Sequence, residues 1–272
     1  MKSTVLAAPA PRAAPAERAP RAVSRFRLWL VLVGLAAAGL LAATPFLLPV
    51  LQHMLAGRQV PLSPGVVLLL QDVQVLVFTA LLAAVGVWTA PAVGLDAPLV
   101  RARLAGQHVS RRLLGLLPAS VLGGTVGALA VLALSQALRA RLPAGFGVFP
   151  AMSPWAAATG AFYGAIVEEV LFRWGVLSLF AFALARLGVG RGAGFWVANL
   201  ASALAFGAMH LPAALQLGMP RTPLVVGYLL AGNALVGLLC GWLFRRRGLE
   251  SAMLAHGSAD VWLHVVFPAL GL

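Results

Sequence analysis

Three short patterns in the second half of the chain hold side chains able to move protons or bind a metal. They are Glu168-Glu169-Val-Leu-Phe-Arg173, Phe206-Gly-Ala-Met-His210 and His256-Gly-Ser-Ala-Asp260. On a helix, residues four apart share a face, and neighbours diverge by about 100°. Glu169 and Arg173 can therefore pair, acid before base, which is the favourable order. Glu168 then points elsewhere without that partner, as suits a general base. The same spacing sets Phe206 and His210 on one face, the first as packing and the second as a polar tip. Asp260, one turn after His256, is placed to accept a hydrogen bond from a ring nitrogen and so fix its tautomer. One carboxylate base and two imidazoles on three helices suit two chemistries. Glu168, His210 and His256 can hold a divalent metal such as zinc that activates water, or Glu168 can activate water directly while a histidine stabilises the oxyanion. Spacing leaves both open, and both lead to hydrolysis, with a peptide bond the expected target.

These residues sit in an unusually apolar chain. Of 272 residues, 61% are hydrophobic and 10% are charged, and the mean hydropathy is +0.94; a soluble domain carries roughly 25% charged residues. A polytopic, all-α transmembrane bundle of about seven to eight spans is the expected fold. A charge at mid-membrane costs roughly 2.5–3.5 kcal/mol on insertion scales, which makes an intramembrane ionisable group a functional candidate. The net charge of +13 does not point to nucleic acid, because the arginines are scattered in short loops beside apolar runs, as orientation signals are. The expected partners are membrane lipids and a membrane-anchored protein or peptide substrate. The single cysteine, Cys240, excludes an intrachain disulfide and a Cys-rich metal site, and reads as packing.

Apolar runs bounded by Arg, Pro and Gly place spans near 28–51, 64–88, 113–138, 153–186, 194–213, 223–244 and 249–268. The fourth reads either as one tilted helix or as a span that breaks near Gly175. Three regions follow: a disordered basic cytoplasmic tail over 1–25, N-terminal transmembrane helices over 26–150, and a catalytic helical core over 151–272. The first apolar run starts too late for a signal peptide and reads as a retained span. Seven crossings put 15 Lys and Arg residues on the side of the N-terminal tail and 4 on the other, so the N-terminus is expected in the cytoplasm. The Ala, Arg, Gly and Pro bias points to a bacterial inner membrane. Helix rise sets Glu168 on the order of 27 Å from the 187–193 loop and His210 on the order of 24 Å from it, so the two can meet within the membrane. His256 comes out shallower, near 10 Å from the 245–248 loop, so tilt or a cavity is needed to bring it to the others.

EEVLFR, FGAMH and HGSAD, in this order and each in an apolar helix, resemble the motifs EExxxR, FxxxH and HxxxN or HxxxD of the CPBP family. These are the intramembrane CAAX proteases and bacteriocin-processing proteins, also called the Abi family, and the resemblance covers about residues 150–268. It implies an intramembrane endopeptidase in which Glu168 and His210 activate water and His256 with Asp260 stabilises the oxyanion or ligates a metal. Glu169, Arg173 and Phe206 become supporting residues. The family includes members described as metalloproteases, and a metal-free glutamate mechanism is also argued for it. Its eight-helix plan implies one helix more than the seven spans read here. It also implies a substrate cleaved near a hydrophobic or C-terminal tail, including the sorting tails of the myxosortase type.

Two other classes compete: a proton- or ion-coupled transporter, in which buried Glu, His and Asp form a relay, and a non-catalytic immunity or scaffold relative. Intact Glu168, His210 and His256 weigh against the second. Asp72 reads as a helix-packing or cavity-lining group, His264 as packing, and His53 and His108 as solvated.

Overall fold

The computed structural model describes residues 23–143 and 152–272. Most of the expected tail, and the junction expected at 150, lie outside the described residues. Eight helices follow one another among the described residues: α1 (Arg25–Leu55), α2 (Pro64–Ala92), α3 (Pro98–Leu104), α4 (Ser110–Leu138), α5 (154–186), α6 (Arg191–Gln216), α7 (Pro223–Arg247) and α8 (249–269). Five of them, α1, α2, α4, α6 and α7, are long and apolar enough to cross a membrane. The remaining long helices, α5 and α8, carry the charged motifs. The all-α polytopic expectation holds, with seven long helices at the seven apolar runs. The eighth helix among the described residues is the short α3, which lies inside the 89–112 connection and is too short to be a span.

Local sequence explains several helix starts. Ser63-Pro64, Ser153-Pro154 and Thr222-Pro223 open α2, α5 and α7, and each hydroxyl accepts a hydrogen bond from an amide three residues on, at 3.4, 3.2 and 3.2 Å. Ser or Thr satisfies an otherwise unpaired first-turn donor, and Pro loses nothing at the first helical position. All three starts fall at one end of the bundle. The opposite end gathers Arg25, Arg27, the α3 arginines, Arg186, Arg191 and Arg245 to Arg247.

Large apolar side chains on the outer faces, such as Leu69, Leu81 and Trp88 of α2, are exposed, as expected where lipid is the solvent. Inside, one cluster of buried residues runs from Leu28, Ala83 and Ala128 through Trp174, Leu177 and Phe244 to Ala259 and Phe267. It draws on helices from both halves of the chain.

Helix α5 is continuous past Gly175, so the fourth apolar run is a single helix. It starts as α-helix (Pro154–Phe162), widens to π-helix at Tyr163–Glu168 and again at Val170–Leu177, and returns to α-helix at Ser178–Arg186. Carbonyls in this widened stretch find side-chain donors: Ser202 Oγ donates to Phe172 O at 2.8 Å, and Ser178 Oγ to Arg173 O at 3.2 Å. Without water, such bonds are what make irregular backbone tolerable in a bilayer. Trp174 is completely buried and donates from Nε1 to Ala83 O of α2 at 3.1 Å, tying α5 to α2.

A single residue, Gly248, joins α7 to α8 with φ of +95°, a conformation that glycine adopts at little cost. Pro98 packs against it. Leu249 N then donates to Asp96 O at 3.0 Å, and Glu250 Oε1 accepts from Val100 N at 2.8 Å. Arg101 pairs with Asp96. This clip of α3 beneath the start of α8 fixes where the third motif enters the bundle.

Gly86 of α2 lies against Trp174 so closely that a Cβ would meet its ring and its carbonyl. Gly86→Val is expected to force α2 and α5 apart, costing about 1–3 kcal/mol. The midpoint of thermal unfolding in detergent reads this directly, and an unchanged midpoint would contradict the contact.

Candidate active site

The three motifs converge where α5, α6 and α8 meet. Glu168 and Glu169 come from the widened part of α5, Phe206 and His210 from α6, and His256 and Asp260 from α8. The helix-rise arithmetic leaves His256 shallower than Glu168, yet the two come within 3.6 Å, between His256 Nε2 and Glu168 Oε2.

The winding of α5 changes what the glutamate pair does. A wider helix turns less per residue, so neighbouring side chains diverge less than in an α-helix. Glu169 Oε1 lies 2.7 Å from His256 Nδ1, while Glu168 faces Nε2 of the same ring. The two carboxylates thus grip opposite edges of one imidazole. The carboxylate that fixes His256 is Glu169, since Asp260 Oδ1 lies 3.7 Å from Nε2, beyond hydrogen-bond distance. With Nδ1–H donating to Glu169, Nε2 is directed at Glu168 and Asp260.

His210 is oriented in the same way. Its Nδ1 lies 2.9 Å from Phe206 O, an acceptor only, so Nδ1 carries the proton and donates it. Its Nε2 then faces Glu168 Oε1 at 3.7 Å. Both imidazoles thus present Nε2 to the two oxygens of one carboxylate. Pro212, which has no amide hydrogen, follows closely, and His210 forms the bend between Met209 and Leu211.

Beneath this group lies a dry support. Arg173 and Glu169 are 1% and 0% exposed, and Arg173 Nη1 lies 3.2 Å from Glu169 Oε1. Glu169 Oε2 and both Arg173 Nη atoms are buried without a hydrogen bond among the described residues, so the pair rests on charge rather than on directed bonds. The Arg173 guanidinium lies 4.8 Å from the centre of the Phe206 ring, where a cation is attracted to the aromatic face. Phe206 also meets Phe172, His210 and His256 edge-on, with centroids 5.3, 4.7 and 5.5 Å apart. It is the common wall of both histidines and the arginine, a larger part than the packing role its spacing implies.

Of these groups, His210 is the most open, with 34% of its side chain exposed against 6% for Glu168 and 4% for His256. Access is therefore from the His210 side. Asp72 is half-buried. His53 and His108 are exposed, and the ring of His264 sits 5.6 Å from that of Phe46.

Sequence reasoning passed over two neighbours, Gly164 and Tyr163, and read a third, Cys240, as packing alone. Gly164 is a turn before Glu168, and a Cβ there would collide with the Asp260 carboxylate and approach His256 Nε2 to 3.1 Å. Tyr163 adjoins it. Cys240 lies close enough for its Sγ to group with one ligand atom each of Glu169 and His256. That trio makes a poor metal centre, because Glu169 Oε1 and His256 Nδ1 already bond each other. By donor chemistry alone the candidate set is Glu168, His210 and His256 with Asp260 beside them: two nitrogens freed by their Nδ1 bonds, next to carboxylates 3.6–3.7 Å away. The only sequence signal for Gly164 was its spacing of four from Glu168.

Residues 150–262 match the family described as Type II CAAX prenyl endopeptidase Rce1-like. The matched segment contains all three motifs. No curated protein and no solved structure matches the chain.

Glu169→Gln is expected to strand the buried Arg173 charge and lower stability by about 3–5 kcal/mol, whereas Glu168→Gln leaves stability nearly unchanged. Unfolding midpoints and membrane abundance distinguish the two, and equal losses would refute the division of labour. Gly164→Ala should leave the fold intact but displace Asp260, reducing peptide cleavage on the order of 10²-fold; wild-type turnover would show that the space serves no reacting group.

Proposed function

We propose that the protein is an intramembrane endopeptidase that hydrolyses a peptide bond near the hydrophobic or C-terminal tail of a membrane-associated protein. The observation that carries this reading is the convergence of two imidazole Nε2 atoms on one buried carboxylate, at 3.7 and 3.6 Å. Neither distance is a direct hydrogen bond. A water can donate one hydrogen to Glu168 and the other to His210 Nε2, whose own Nδ1 proton is committed to Phe206 O.

Glu168 removes a proton from that water as its oxygen attacks the carbonyl carbon of the scissile bond. The carbonyl oxygen becomes an oxyanion, and the proton held by Glu168 passes to the leaving amine as the C–N bond breaks. His256 is placed to donate to the oxyanion. Since its Nδ1 proton is given to Glu169, donation from Nε2 requires a second ring proton, and the carboxylates of Glu169 and Asp260 flank the ring to offset that charge.

The same residues can instead hold a divalent cation, in which case both Nε2 atoms use lone pairs. A bound zinc would supply Lewis acidity and a more acidic water. The two versions thus differ in the protonation of His256. Exposed Phe162 and Met209 belong to the segments that carry the site, which supports an apolar tail as substrate. A C-terminal sorting tail of the myxosortase type is the narrower form of this reading.

Glu168→Gln is expected to reduce cleavage about 10²- to 10⁴-fold while the protein stays folded and in the membrane. Comparing C-terminal peptides of membrane proteins in cells with wild-type or Glu168→Gln protein should reveal tails retained only with the variant. Full activity in the variant would overturn the mechanism. Dialysis against a chelator separates the two forms of His256: cleavage lost and restored by zinc assigns lone pairs to both Nε2 atoms, and an unchanged rate assigns a proton to His256 Nε2.

A further inference from the structure

At the arginine-rich end of the bundle a cavity of about 240 Å³ opens between the α2–α3 link, the end of α5, the start of α6 and the end of α7. Its inner wall is apolar, with Leu95, Ala181 and Phe195 buried and Val189 half-buried. Its rim carries Arg191 and Arg245, both exposed. Among the described residues neither guanidinium pairs with a carboxylate. Arg245 lies 4.4 Å over the Phe195 ring, which holds its charge at the mouth. Arg191 also begins α6, where Gly190 provides no side-chain cap, so the positive end of that helix adds to the same field.

This place is separate from the candidate active site. Arg191 and His210 stand at opposite ends of a 19-residue helical segment, on the order of 28 Å apart. The cavity is also amphiphilic, with two uncompensated cations at the outer edge and hydrocarbon walls below them. A small soluble anion would engage the arginines and leave the walls unused. A lipid with a negative headgroup would use both, and basic pockets between transmembrane helices are known to favour such headgroups.

We propose that this cavity is a binding site for an anionic phospholipid, with the headgroup phosphate between Arg191 and Arg245 and an acyl chain against Leu95, Ala181 and Phe195. The site joins the ends of α5 and α6, the helices that present Glu168 and His210. A lipid held there would set their spacing from a distance.

The test uses the full chain in detergent, titrated with phosphatidylglycerol or phosphatidylcholine and followed by native mass spectrometry. The first phosphatidylglycerol is expected to bind about tenfold more tightly than phosphatidylcholine, and Arg191→Gln with Arg245→Gln to abolish that preference. Arg246→Gln with Arg247→Gln removes the same charge from the same end, outside the cavity, and should keep the preference. Equal binding of the two lipids, or equal loss in both double variants, would overturn the site in favour of diffuse attraction. Displacement of phosphatidylglycerol by inorganic phosphate at matching concentration would overturn the lipid assignment in favour of a soluble anion.

Discussion

Glu169 and Arg173 are buried to the limit in a helix bundle that offers them almost no water. Removing charges from water costs several kcal/mol per ion, and mutual attraction offsets this only when the surroundings cooperate. Much of the local structure follows from that requirement. Phe206 turns its face to the guanidinium, His256 donates to Glu169, and the widened winding of α5 brings both glutamates to one imidazole. The buried pair thereby orients His256, and an oriented His256 leaves one nitrogen facing Glu168.

Two carboxylates adjacent in sequence are thus divided by environment. Glu169 is committed to Arg173 and His256 and sits in the dry floor of the site. Glu168 has contacts of 3.6–3.7 Å to two Nε2 atoms among the described residues, the gap that the proposed mechanism gives to a water. The division depends on exclusion of solvent from one side and its admission from the other. His210, at the bend before Leu211, marks the open side. Preorganised groups in such a half-dry site act more strongly than they would in water.

The backbone adjustments that allow this lie in neighbouring helices. Ser202, two turns before His210 on α6, supplies a hydrogen bond to a carbonyl in the widened stretch of α5. The α3 clip and Gly248 determine how α8 begins, and hence where His256 and Asp260 arrive. Helices from the first half of the chain therefore help to place residues of the second, and the buried cluster through Leu28, Ala83 and Trp174 is the physical link.

Much was legible in the sequence. Apolar runs located the long helices because hydrocarbon demands about twenty apolar residues per crossing, and Ser-Pro and Thr-Pro pairs marked helix starts. The order of three charged motifs within apolar segments pointed to the cluster, since a membrane tolerates such residues only with cause. Other features were not legible, because they are set by contacts between helices rather than along one. Helical spacing assumed 3.6 residues per turn, so the π-winding, and with it the shared grip of Glu168 and Glu169 on His256, lay beyond it. Asp260 was the natural partner of His256 along its own helix, but the nearer acceptor came from α5. The room beneath Asp260 at Gly164, and the meeting of Phe206 with four side chains, likewise arise only when α5, α6 and α8 close on one another. The sequence by itself determined which residues must be buried together, through their cost in lipid; only the tertiary structure decided which atom of each faces which partner, because that depends on helix winding and on packing across helices.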